Sequence, residues 1–311
     1  MTDVDLVSFF AEQPEPEYDP PEDRQITYKT LGTMSYYDNL PPVPGYGPGP
    51  WLRVSELDVF SSTYYLDLWH QRQVVRALEQ NQREFAISKT TEDLFKPMRG
   101  SRFNAMTAYG KRRVNEIVDR CHELIGSHKG SGIGTVFHEF CERLDSGESP
   151  KGFDLTPDLR AMLKAYWELR RDYRIKPVPG YLERTVFIPE LSAAGTFDHL
   201  DTIEGHRLPV IGDTKSQGSM HFSNIAIPQQ LASYAHAKWV LDKVTWTWEP
   251  MPEVDQELAV VLWCPADEPG EASVQDIDIV TGWQDALDAA RILERREDHS
   301  TIRRRPWPGL R

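Results

Sequence analysis

The 311-residue chain has little cysteine and no arrangement that would use it. Cys121, Cys141 and Cys264 are its only three cysteines, and no CxxC pair occurs. That excludes a disulfide framework and a zinc ribbon, and it falls short of the four thiolates of a common iron–sulfur cluster. Long apolar runs are missing as well. No stretch approaches the ~18 residues with which a helix crosses a bilayer, and mean hydropathy is -0.53, so no membrane partner is expected. The opening MTDVDLVSFFAEQ has no basic residue ahead of its short apolar stretch. A secretory signal is therefore not expected, and the chain reads as a cytoplasmic protein. There is no P-loop, HExxH or GxSxG either, which leaves an unrelated small-molecule metalloenzyme without a motif to support it.

What is present is enough to fold. Forty per cent of residues are hydrophobic and nine are tryptophan, a composition that builds a sizeable core. The formal net charge is -13, at first sight unsuited to a polyanionic partner, but binding follows local fields rather than the average. Residues 1–23 carry eight acids and neither Lys nor Arg, whereas Lys96, Arg99, Arg102, Lys111, Arg112 and Arg113 fall within 18 residues beside Phe103 and Tyr109. Arg303, Arg304, Arg305 and Arg311 mark the C-terminus. A solvated surface accounts for any one of these groups, yet the acidic balance does not exclude DNA.

Four segments follow from composition and period. Residues 1–50 hold nine of the 23 prolines and read as an acidic, extended, flexible lead-in. Residues 51–180 read as a helical region: one or two helices over 56–83, one over 103–127, a loop at Gly130, Gly132 and Gly134, then TVFHEFCERL and a helix from Pro157 to Tyr173. Residues 181–297 turn strand-like, with YLERTVFIP, AGTFDHLDTI and LPVIGDTKS as strands and Glu204-Gly205 as a hairpin turn. A helix from Pro228 to Asp242, strands at ELAVVLWC and VQDIDIV, and a last amphipathic helix follow. Residues 298–311 form a basic tail. The class is α/β.

The chemistry concentrates in IGDTKS. Strand alternation points Asp213 and Lys215 the same way, and an acid and a lysine on an apolar strand are costly to bury unless they serve each other or a ligand. One reading has Asp213 holding a divalent cation while Lys215 stabilises charge on a phosphate; the other is an edge-strand ion pair. Asp198, on the preceding strand, comes near Asp213 if the two strands pair through the 204–207 turn, and hard oxygen donors suit Mg²⁺ or Mn²⁺; alternatively it braces a turn. Asp201 is expected to face away and is left out of the site. His138 flanks the apolar stripe Phe137, Phe140, Cys141 and Leu144, where it is either a packed histidine or a ligand, with Glu142 one turn on as a fallback. Gln230 and Tyr234 share a helical face at i, i+4, placed either to bond a phosphate or to do ordinary structural work.

In chain order, Gly134-x-x-x-His138, Gly195-x-x-Asp198, Asp213-x-Lys215 and Gln230-x-x-x-Tyr234 resemble the signature of RecB-like exonucleases in the PD-(D/E)XK superfamily, over roughly residues 51–297. The resemblance extends to CRISPR-adaptation and bacteriophage exonucleases. It implies a restriction-endonuclease-like core, a mixed central sheet flanked by helices, preceded by a helical region. It implies that His138, Asp198, Asp213 and the Thr214 main-chain carbonyl hold Mg²⁺ or Mn²⁺. Asp198, Asp213 and Lys215 are then catalytic, and Gln230 and Tyr234 position the strand. Arg102, Lys111 and Arg112 are candidate DNA contacts in the basic window. The implied activity is metal-dependent DNA exonuclease action leaving a 5′-phosphate, in phage or bacterial recombination and repair, with a recombination or annealing protein as a further partner. In a phage, the host cytoplasm would be its compartment. Asp213 stands where the superfamily often has Glu, and the cluster-binding cysteines of the CRISPR relatives are absent, so no iron–sulfur cluster is expected. The alternative is a catalytically inactive nuclease-fold protein that binds DNA or serves assembly.

Overall fold

The computed structural model of the chain describes residues 25–31, 34–59, 71–72, 74–78, 95–97, 104–106, 108–124, 129–220 and 223–297. The chain divides into two compact units, residues 1–61 with 136–311, and residues 62–135.

Part of the expected lead-in is strand. β1 (Tyr28–Leu31) pairs antiparallel with β2 (Met34–Tyr37), and β2 pairs with β3 (Trp51–Arg53). The prolines that gave the segment its extended look at 41, 42, 44, 48 and 50 lie between these strands, where a missing N–H costs no ladder bond. Tyr37, Leu40 and Val43 are buried. Of the segment 56–83, expected as one or two helices, the described residues show the end of a 3-10 turn (Val54–Leu57) and helix at 71, 72 and 74–78; the remainder lies outside the described residues.

The second unit holds the hairpin β4 (Phe95–Pro97) and β5 (Asn104–Met106), then α1 (Ala108–Leu124). The next helix, α2 (Lys129–Asp145), begins earlier than its sequence indicates. Gly130, Gly132 and Gly134, expected as a loop, lie inside it. Glycine disfavours a helix by only about 1 kcal/mol per residue, and the apolar stripe of residues 137–144 outweighs that bias. α3 (Pro157–Asp172) forms as expected. Thr156 caps it by accepting from Leu159 N, Pro157 occupies the first turn, and Leu159, Met162, Leu163, Tyr166 and Leu169 bury one face at helical spacing.

The main sheet has ten strands among the described residues and is mixed. Its centre is β6 (Ile175–Ile188), antiparallel to β7 (Ala193–Ile203), which turns at Glu204-Gly205 (Gly205 φ +85°) into antiparallel β8 (Val210–Lys215). Helix α4 (Ala226–Ala235) follows, and it stops seven residues before the expected end. WVLD forms β9 (Trp239–Asp242) because it finds partners in β6 and in β10 (Thr247–Pro250); tertiary pairing overrides a helical continuation. β11 (Leu258–Trp263) then lies parallel to β8 and antiparallel to β12 (Ser273–Asp278), and α5 (Val280–Glu297) ends the described chain.

Neighbouring strand residues belong to different cores, so the sheet is covered on both faces. Val186, Phe197, Ile211 and Val261 join Leu231 and Tyr234 of α4 and Ala286, Ala289 and Leu293 of α5. Leu262 and Cys264 join Phe137, Phe140, Cys141 and Leu144 of α2 and Met162, Leu163 and Tyr166 of α3. Phe187 and Ala194 join Tyr37, Leu40 and Val43. No helix among the described residues is long and apolar enough to cross a membrane.

Candidate active site

β6 runs along one edge of β7 over most of its length. The opposite edge is shared: β3 pairs with Ala193 and Ala194, and β8 pairs with His199, Leu200 and Asp201. Gly195 to Asp198 therefore have no described strand on that edge. β8, for its part, keeps β11 as a neighbour along Ile211–Lys215 but leaves β7 after Gly212. The site lies where these strands diverge. An open backbone edge needs a partner, and Asp198 supplies one: its Oδ2 accepts from Thr214 N at 2.9 Å. The same oxygen stands 3.4 Å from His138 Nδ1 on α2.

Asp213 and Lys215 point the same way from β8, with Lys215 Nζ 3.0 Å from Asp213 Oδ1 and 2.7 Å from Oδ2. β8 is interior to the sheet as far as Gly212, but beyond it only β11 flanks the strand among the described residues, so Asp213 and Lys215 pair along an edge that β7 has left. Asp213 is only 2% exposed, and no donor is aligned to hydrogen-bond its Oδ2.

Two glycines make room for this arrangement. A Cβ at Gly195 would lie 2.4 Å from Tyr234 Cε1, so the tyrosine ring rests directly on the β7 backbone. A Cβ at Gly212 would lie 2.1 Å from His199 Nδ1. Gln230 donates to Tyr234 Oη at 3.0 Å, as their i, i+4 spacing implies. Tyr234 is buried and Gln230 half-buried, so the glutamine is the more accessible of the two.

The charges are set against one another. Burial penalises Asp198, but hydrogen-bonded His138, Lys215 and His199 outweigh it and hold the carboxyl down at about 2. Burial and the Asp198 charge push Asp213 upward despite Lys215. His138 is raised: burial opposes its charge, and Asp198 and Asp213 overcome that. Lys215 is raised for the same reason, Asp213 and then Asp198 offsetting its burial.

The basic window belongs to the other unit. Arg102 lies outside the described residues, and Lys111 and Arg112 lie on α1, where Arg112 is exposed. The basic tail 298–311 also lies outside the described residues.

Sequence reasoning passed over several groups. Asp201, expected to face away, is wholly buried, 2.9 Å from Arg170 NH1 and 2.7 Å from His199 Nδ1. Its signal was the period-two pair His199-x-Asp201 in DHLD, and an arginine at a buried position of α3. Glu183 is another. The pairs Leu182↔His199 and Arg184↔Phe197 put it opposite Asp198, where like charges repel. Its backbone is left-handed (φ 47°), a conformation costing about 1–2 kcal/mol for a residue with a side chain and common at functional sites. Burial, Asp198 and Glu142 raise its pKa to about 7. Lys243, lowered by burial but drawn up by Glu183 and Glu142, completes this charged rim. Nothing local in the sequence marks either residue.

Two carboxylates and an imidazole are donors of the type a hard divalent cation takes, although Lys215 already stands against both oxygens of Asp213. Among the described residues no three His, Cys, Asp or Glu side chains already converge as a finished metal-binding group, so a cation would have to draw its donors together. No known protein family matches the chain, and no curated protein matches it.

Proposed function

We propose that the chain is a divalent-metal-dependent deoxyribonuclease of the RecB-like, PD-(D/E)XK kind, hydrolysing phosphodiester bonds from DNA ends. One observation carries this reading: at the divergence of β7 and β8, the Asp198 carboxylate binds the amide next to Asp213, with His138 and Lys215 at the same point. His138, Asp198, Asp213 and the Thr214 carbonyl would hold Mg²⁺ or Mn²⁺. When bound, such an ion neutralises the phosphate and lowers the pKa of an attacking water. Lys215, kept protonated by its two acidic neighbours, adds positive charge where the transition state becomes more negative. Gln230, braced on Tyr234, orients the strand. DNA is the proposed substrate, and phage or bacterial recombination and repair, alongside an annealing protein, the proposed setting.

A second reading has its own support. Lys215 already contacts both oxygens of Asp213, and no three donors converge among the described residues, which suits a nuclease-fold protein that binds DNA without cutting it. Purified protein with end-labelled linear duplex and Mn²⁺, against an EDTA control, separates the two. Release of 5′-phosphorylated nucleotides is expected, with closed-circular DNA spared. Lys215→Ala is expected to lower the rate about 10²–10³-fold, and Asp213→Asn to abolish it. DNA retained but uncut by the wild type with metal would leave the binding protein standing.

A further inference from the structure

Helix α2 reaches Thr214 by two separate routes. The short one runs from His138 through Asp198 Oδ2 to Thr214 N. The long one starts seven residues further along the same helix, at Asp145. Asp145 Oδ2 accepts from Arg170 NH2 at 2.8 Å and from Tyr166 Oη at 2.7 Å, and Arg170 Nε donates to that same hydroxyl at 2.7 Å. Arg170 NH1 donates to Asp201 Oδ1 at 2.9 Å. Asp201 Oδ2 stands 2.7 Å from His199 Nδ1, near enough for an ion pair though not aligned as a hydrogen bond. His199 Nε2 meets Thr214 Oγ1 at 3.1 Å. The long route is buried: Arg170, His199, Asp201 and Thr214 are each 6% exposed or less.

The two routes close a ring on one residue, gripping its amide from one side and its hydroxyl from the other. Thr214 separates Asp213 from Lys215, so its two backbone torsions set the angle between them. The flat approach of His199 to β8 is built into the sequence by Gly212, where any Cβ would collide with the imidazole. Burying two carboxylates, an arginine and a histidine merely to brace a sheet is costly when apolar residues would do the same. We propose that His199, oriented by Asp201 and Arg170, is a positioning residue that fixes Thr214 and through it the relative placement of Asp213 and Lys215. The claim rests on the nuclease reading for its consequence in catalysis, but not for its geometry.

The test is the pair Thr214→Val and Thr214→Ser in the full chain. Valine keeps the shape and removes the hydroxyl; serine keeps the hydroxyl. On linear DNA with Mn²⁺, Thr214→Val is expected to lose about 10–100-fold in kcat with KM for DNA and melting temperature near those of the wild type. Thr214→Ser is expected to restore most of the loss. His199→Gln, which offers an amide to the same hydroxyl, should retain more activity than His199→Phe. In metal-free protein, nitrogen-edited NMR should show the His199 imidazole resonances shifted in Thr214→Val and returned in Thr214→Ser. Wild-type kcat in Thr214→Val overturns the proposal, as does a loss that tracks melting temperature and is not recovered by serine. Should the wild type fail to cut DNA at all, the nuclease reading falls. The NMR pair then decides the positioning alone, and unmoved imidazole signals overturn it.

Discussion

Asp201 and Asp213 lie on paired strands and are buried alike, at 0% and 2% exposure, yet their carboxyls shift in opposite directions. Burial would raise both. Asp201 is instead held down at about 2, because Arg170 and His199 outweigh its desolvation. Asp213 is raised, because the neighbouring Asp198 adds to its desolvation and Lys215 does not cancel the two. The first carboxylate faces two basic partners, Arg170 and His199, and, among the described residues, no acid as close. The second is ion-paired with Lys215, yet a neighbouring carboxylate still weighs against its charge, a repulsion that a bound cation would relieve. Equal burial therefore says little by itself; the sign of the neighbouring charges decides which way each carboxyl shifts.

That contrast can be broken most forcefully at its Asp201 end. Arg170→Met strands the Asp145 and Asp201 carboxylates in the core, and removing one partner of a buried ion network costs about 3–5 kcal/mol; denaturant unfolding at neutral pH should report a loss of that size. A smaller effect is expected in acid. Asp201 binds its proton less readily folded than unfolded, so its contribution is complete above about pH 4 and disappears as the pH falls toward 2, about 2 kcal/mol in all. Unfolding curves between pH 2 and 5 should show this slope in the wild type and lack it in Asp201→Asn.

Glu183 sharpens the other end. Raised to about 7, it holds its proton more tightly in the folded state, so stability should fall as pH rises from about 4.5 to 7. Allowing for its partial exposure, the change is about 1–2 kcal/mol, and Glu183→Gln should flatten it. The smallest stability effect belongs to Asp213→Asn. Removing this charge ends its repulsion with Asp198 and leaves Lys215 that second carboxylate, so unfolding free energy should stay within about 1 kcal/mol of the wild type while the proposed hydrolysis is lost. A destabilisation like that of Arg170→Met would erase the distinction.

The legible parts of this molecule were those encoded by a local period. β7, β8 and β11 follow from alternation or short apolar runs, the turn from Glu204-Gly205, and the α2 stripe from its 3.6-residue repeat. Strand alternation also placed Asp213 with Lys215, and helical spacing placed Gln230 with Tyr234. What escaped is non-local. β9 is a strand only because β6 and β10 flank it. The pairing of β2 with β3 spans a proline-rich loop whose composition masks it. Asp201 could not be assigned without Arg170, 31 residues away, and the left-handed backbone of Glu183, just past the β6–β7 register shift between Pro177 and Leu182, is announced by no tripeptide.

Asp198 has a practical consequence for any substitution made there. Its carboxylate also stands in for a missing strand, capping the Thr214 amide. Alanine there deletes two properties together, charge and cap, and a dead variant would say little about either. Asparagine keeps an acceptor for that amide while discarding the negative charge, and so is the cleaner substitution with which to test the proposed site.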